Sequence, residues 1–108
     1  MGPQNGGYET LAWNAEHGGD LKTAAHWYRE AATYARMRNQ PESQLMALSN
    51  LAEMYARNGN YKEAVETATY LLTRARDEQL IEYEMRATGR LVEALLAIAG
   101  TVGHSAPL

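Results

Sequence analysis

The chain has 108 residues, a net charge of −3, no cysteine and enough apolar side chains (45%) to form a core. That length fits one domain able to bury roughly two thirds of the surface its unfolded form exposes. The missing cysteines exclude a disulfide framework and a thiolate zinc site. The interspersed, slightly acidic charge lacks the basic run of a surface that binds nucleic acid by displacing counterions.

Residues 1–7 are expected to be a flexible N-terminus. They lack the basic and apolar regions of a secretory signal, and Gly6 stands where a myristoylation pattern wants Ser or Thr. From Tyr8 to Ala99, apolar and small residues recur at three- and four-residue spacing, and no stretch alternates long enough to be a strand. The spacing therefore predicts an all-α chain of five helices. The first, over 8–17, is ended by Gly18-Gly19, and Asp20 caps a second over 21–37. Asn39-Gln40-Pro41 opens a third over 41–57, with Asn39 and Glu42 at capping-box spacing. Asn58-Gly59 closes it, and Asn60 with Glu63 offers a second capping box for a fourth helix over 61–77. The fifth spans 80–99. Its separation from the fourth near Asp77-Glu78-Gln79 has no Gly or Pro behind it and rests on the repeat described next. Residues 100–108 read as a flexible tail. The longest uncharged apolar stretch, Ala94 to Val102, is far shorter than the roughly 20 residues a membrane helix needs. With no cysteine to oxidise and no anchor, the cytoplasm is the expected compartment.

Two segments forty residues apart are near copies: Gly19-Asp20-Leu21-Lys22-Thr23-Ala24 and Gly59-Asn60-Tyr61-Lys62-Glu63-Ala64. The register extends backwards, with Leu11-Ala12 over Leu51-Ala52 and Ala15 over Tyr55, and forwards, with Leu91-Val92 under Leu51-Ala52 and Leu95 under Tyr55. A repeat at this period is the mark of a helical solenoid, here two helix pairs and a third first helix without its second. Such an architecture makes binding the default function.

These residues resemble the tetratricopeptide repeat, in which paired helices A and B surround a Gly-Asp or Gly-Asn turn. Leu51-Ala52, Tyr55, Gly59-Asn60-Tyr61, Ala64 and Leu71 carry the pattern, as do Leu11-Ala12, Gly19-Asp20, Ala24, Tyr28 and Ala31. The forty-residue period is similar to the long-helix variants of the family. Ala15 and Ala68 stand where the other unit has Tyr55 and Tyr28, leaving space for Trp27 or Tyr70 to fill.

The resemblance implies a non-catalytic protein–protein interaction module whose A helices line a concave groove for a peptide or protein segment. Carried over position by position, the groove residues are Glu9, Trp13 and His17 on the first helix and Met46, Ser49, Asn50, Glu53 and Arg57 on the third. The fifth adds Arg86, Arg90 and Glu93. Asn50, Arg86 and Arg90 match positions that hold a peptide's C-terminal carboxylate in clamp-type members. Glu9 and Trp13 replace the Lys and Asn that would complete the clamp, so the implied ligand is an acidic side chain. Arginines four apart on one face repel each other unless an anion relieves them, and their forks suit carboxylates. That anion is either a partner's or one of Glu53, Glu82 and Glu93.

Other chemistry finds little support in the sequence. His17 and His26 flank a turn without a placed carboxylate, a poor metal site, and no metal or cofactor is expected. No carboxylate lies in an apolar setting suited to acid catalysis, and no phosphate loop or nucleophile elbow is present, so no enzymatic role is expected. Trp27 and Tyr28 read as packing residues. On the fifth helix, Leu91, Val92, Leu95, Leu96 and Ile98 wrap more than one side, whereas a terminal solenoid helix should turn a polar face to water. Three covers suit that surplus: a second copy in a homodimer or scaffold, further repeats of a longer array, or a tail folded back with Val102. Self-assembly is the alternative function.

Overall fold

A computed structural model of the chain describes residues 7–105, with side chains for residues 7–100. Five helices follow in order: α1 Tyr8–His17, α2 Leu21–Met37, α3 Pro41–Arg57, α4 Tyr61–Asp77 and α5 Ile81–Ser105. No strand occurs among the described residues. Each helix packs on the next, and α3 also meets α5, giving an elongated slab of 59 × 33 × 17 Å. The helix-pair order and close nearest-neighbour packing fit a small helical solenoid.

All four connections use one device. Asp20, Gln40, Asn60 and Leu80 donate their backbone N–H to the carbonyls of Ala15, Ala35, Tyr55 and Ala75 at 2.8–2.9 Å. This six-to-one bond closes a Schellman turn and needs a left-handed residue just before the donor. That residue is Gly19 (φ 85°), Asn39 (φ 57°), Gly59 (φ 82°) and Gln79 (φ 58°). The break at 77–79 is therefore real, and Gln79 makes it with a strained backbone instead of a glycine. Gln79→Gly is expected to stabilise the domain by about 1 kcal/mol, measured as a higher urea midpoint at unchanged slope.

The same turn corrects two capping assignments. Asn39 is the left-handed residue and not a cap; Gln40 takes the cap position before Pro41, with no side-chain bond. Asn60 sits at the cap of α4 but forms no capping box with Glu63, because its Oδ1 accepts from Asn58 Nδ2 at 2.8 Å. Asp20 does cap α2, its carboxylate accepting from the Thr23 N–H at 3.1 Å. The Thr23 hydrogen bonds, helped by Lys22, hold that carboxyl below the usual aspartate range.

The core is built on alanine. Ala12, Ala24, Ala31, Ala64, Ala68 and Ala87 are buried where helices cross, and Leu45, Leu51, Met54 and Leu71 fill the spaces between. Small residues at the crossings let backbones approach closely, so the helices nest with little side-chain bulk. Of the two residues expected to fill the space left by alanine, Trp27 is half-buried and stacks on Tyr8 with centroids 5.8 Å apart. Tyr70 stays largely exposed, its hydroxyl 3.4 Å from Gln44 Nε2. α5 runs on to Ser105 instead of ending at Ala99, so the described part of the tail continues the helix and does not fold back. Residues 1–6 and 106–108, part of the two expected flexible ends, lie outside the described residues.

Candidate functional site

The forty-residue register puts Trp13, Glu53 and Glu93 at one position of α1, α3 and α5, His17 with Arg57 at a second, Met46 with Arg86 at a third, and Asn50 with Arg90 at a fourth. Contacts between these helices show that the positions share a face. Arg57 of α3 reaches Glu16 of α1 at 3.1 Å and its own-helix Glu53 at 3.8 Å. Arg90 of α5 reaches the same Glu53 at 3.2 Å, Ser49 Oγ at 3.4 Å and Glu93 at 3.6 Å. Glu16 in turn accepts from the buried Tyr28 hydroxyl of α2 at 2.7 Å. A single chain of polar contacts, Tyr28–Glu16–Arg57–Glu53–Arg90–Glu93, thus ties four helices together.

This answers where the arginines find their anion. Arg90 is two-thirds or more shielded and satisfied by Glu53, Ser49 and Glu93, so its fork is committed within the domain. Arg86 is different: its side chain is 47% exposed, meets only the exposed Glu82 at 3.7 Å and lies over the Tyr83 ring at 5.2 Å. The loose i,i+4 pair is of the kind that contributes a few tenths of a kcal/mol. A wide concavity of about 260 Å³ between Arg86, Gly89, Arg90 and Glu93 leaves that guanidinium open to a ligand.

At the opposite edge, Trp13 is 55% exposed. Its ring stacks on His17 at a centroid distance of 3.7 Å, and His17 Nδ1 lies 2.9 Å from the Trp13 carbonyl, which holds the imidazole on its own helix. Trp13 also lines a shallow concavity of about 420 Å³ with Glu9, Thr10 and Asn14. Asn50 is half-buried, Met46 is exposed, and Ser49 is fully buried and so leaves the set of ligand-facing residues.

Tyr28 packs as expected, but it also anchors the polar chain. Burial first, and then the bond to Glu16, push its phenol well above the usual tyrosine range, keeping it a donor. Glu16 and Tyr28 are contributors that the sequence reading missed. A signal existed: Arg57–Glu16 and Arg90–Ser49 are both 41 residues apart, one repeat plus one position. His17 and His26 form no metal site; His26 packs edge-on against Trp27 at 4.7 Å. No cluster of three metal-ligating side chains exists among the described residues, and no helix there is long and apolar enough to cross a membrane.

A third concavity of about 300 Å³ lies between α2 and α4, lined by Lys22, His26, Arg29, Tyr55, Asn58 and Glu63. Arg29 donates to the Tyr55 hydroxyl and lies over its ring. Among the described residues Lys22, Arg29 and Arg36 form no ion pair, whereas the arginines of α3, α4 and α5 all do. Comparison of the chain with protein-family models, curated proteins and solved structures found no significant match.

Proposed function

We propose that this domain is a non-catalytic, tetratricopeptide-like binding module that takes an extended segment of another protein across α1, α3 and α5. The observation that carries the reading is the division of labour on that face. Arg57, Glu53 and Arg90 are locked together as a polar floor, while Trp13 at one edge and Arg86 at the other stay exposed. A rigid aromatic anchor and an open guanidinium are the residue types that concentrate binding energy. α1 and α5 flank α3, so the two anchors are two interhelical spacings apart, about 16–20 Å, and Arg86 is also offset about 10 Å along α5 from the level of Trp13, giving a separation of about 19–23 Å. Six or seven extended residues cover that span at about 3.3–3.6 Å each. The fitting ligand carries an apolar or aromatic side chain for Trp13 and a carboxylate, six or seven residues away, for Arg86.

Peptides selected on the wild-type domain from a random display library test this directly. Trp13→Ala combined with Arg86→Ala is expected to weaken the selected peptides at least about tenfold, each anchor contributing more than about 1 kcal/mol. Both side chains are exposed, so far-UV circular dichroism should not change. Unaltered affinity would reject the site. Arg90 is a poor choice for this test, because removing it takes the closer of two cations from Glu53 and the guanidinium contact from buried Ser49 inside the domain.

The uncompensated cations of α2 favour a second reading, in which an acidic ligand lies in the valley between α2 and α4. The same peptides separate the two: loss of binding with Lys22→Glu and Arg29→Glu, but not with the Trp13 and Arg86 changes, moves the site to that valley.

A further inference from the structure

On α5 six exposed residues, five of them apolar, keep a strict rhythm, Ile81, Met85, Thr88, Val92, Leu95 and Ala99, separated by alternating steps of four and three, with exposed Leu96 and Ile98 on the flanks. Side chains at that spacing form one narrow seam along a helix, the pattern by which two helices interlock. The seam is open to water, with Ile81 and Met85 each 71% exposed and Val92 and Leu95 close to half. The opposite side of α5, with Tyr83, Ala87 and Ala94, is the side buried in the domain. One repeat earlier, the central register positions on α3, Leu45, Leu48 and Ala52, are buried, and Pro41 and Tyr55 partly so. The position is thus one that a packing helix occupies elsewhere in this molecule, and on α5 no helix occupies it.

We propose that the occupant is α5 of a second copy, running antiparallel about a two-fold axis. Three features select this partner. The first is length: α5 has 25 residues where α2, α3 and α4 have 17, so its C-terminal turns project beyond α4. A helix placed as α4 is placed on α3 would leave those turns, with Ile98 and Ala99 exposed, uncovered. An antiparallel copy of α5 covers the seam from end to end, because the projecting half of each helix lies on the exposed N-terminal half of the other. Leu95 then meets the partner's Met85, Val92 the partner's Thr88, and Ala99 the partner's Ile81.

The second feature is charge. On α5 itself the ionised residues flanking the described seam are Glu82, loosely paired with Arg86, and Glu84, loosely paired with Arg76 of α4. An antiparallel pair sets them beside the partner's Leu96 and Ile98, whereas a parallel pair would gather four carboxylates at one end. The third is Gly89, which falls on the axis facing its own symmetry mate. A glycine inside an exposed helix weakens it, and a Cβ at Gly89 would meet nothing within 4 Å in the isolated chain. The missing side chain finds a use where two helix backbones approach. Leu91, half-buried against the body, meets its own mate on the other flank. The contact is isologous and closes at two copies.

The described seam is about 27 Å long at 1.5 Å per residue, and buries an area at or below about 1,200 Å² in total, so dissociation in the micromolar range is expected. Light scattering from micromolar to millimolar protein should show the mass rising from 12.0 kDa to twice that value. Val92→Glu with Leu95→Glu should hold it at the monomer value, with far-UV circular dichroism unchanged because both positions are exposed. The chain's lack of cysteine makes the orientation testable too. A mixture of Met85→Cys and Leu95→Cys chains should oxidise to the mixed disulfide in preference to either like pair. A wild-type monomer at millimolar concentration overturns the proposal, as does a dimer that survives the double glutamate change. Preferential like-pair disulfides at Met85 overturn the antiparallel arrangement.

Discussion

Leu45→Ala is expected to lower the unfolding free energy by about 2–5 kcal/mol, the range for deleting a fully buried leucine side chain. Leu45 is wholly inaccessible on α3, and α3 is the helix that meets α2, α4 and α5. The walls of the resulting cavity belong to helices already in contact through alanines, which have little side chain with which to close the gap. The loss should therefore fall toward the upper end of the range. Urea unfolding followed by circular dichroism measures it, and a loss below about 1 kcal/mol would mean that the helices shift together more freely than their close crossings suggest.

Ala87→Leu tests the opposite limit. Ala87 is fully buried on the side of α5 that faces the body, and the added carbons have no space to enter. Overpacking of this kind costs about 1–3 kcal/mol and is relieved by moving backbone. The backbone that moves is α5, which carries Arg86 and Arg90. The substitution should therefore both destabilise the domain and separate Arg90 from Glu53, so that peptide binding weakens although neither anchor has been touched. The pairing can be read from the Arg90 Nε–H signal by NMR, with the Ala87→Leu and wild-type chains compared under conditions where both are folded. Destabilisation with an unmoved Arg90 signal would place the strain in α4 instead.

Much of the architecture was legible because the chain repeats its punctuation. Gly19-Asp20 and Gly59-Asn60 mark turns whose backbone demands are met by glycine, and α2 and α4 begin where those signals put them, as α3 begins at Pro41. The last turn carries the same hydrogen bonds, but Gln79 adopts the left-handed conformation without advertising it, so only the forty-residue register revealed the break. The end of α5 was misread for the converse reason. Gly100 and Gly103 look like stops, yet a glycine costs a helix only about 1 kcal/mol and ends it only when the chain must also turn.

The candidate face was half legible. Periodicity put Trp13, Arg57, Arg86 and Arg90 on equivalent helices, but whether an arginine is free depends on side chains arriving from other helices. Glu53 and Ser49 satisfy Arg90, and Glu16 satisfies Arg57; neither arrangement follows from the spacing of residues on one helix. Arg86 escapes such capture because its nearest carboxylate, Glu82, is on its own exposed turn.

The short dimension of the molecule, 17 Å, is less than two full helix diameters. In a slab that thin much of each helix faces water, and alanine among the buried residues keeps the apolar area withdrawn from water small for the number of residues ordered. Heat capacity of unfolding follows that area. The domain's stability should therefore change only gently with temperature, with a broad maximum that differential scanning calorimetry would show as a small heat-capacity change on unfolding.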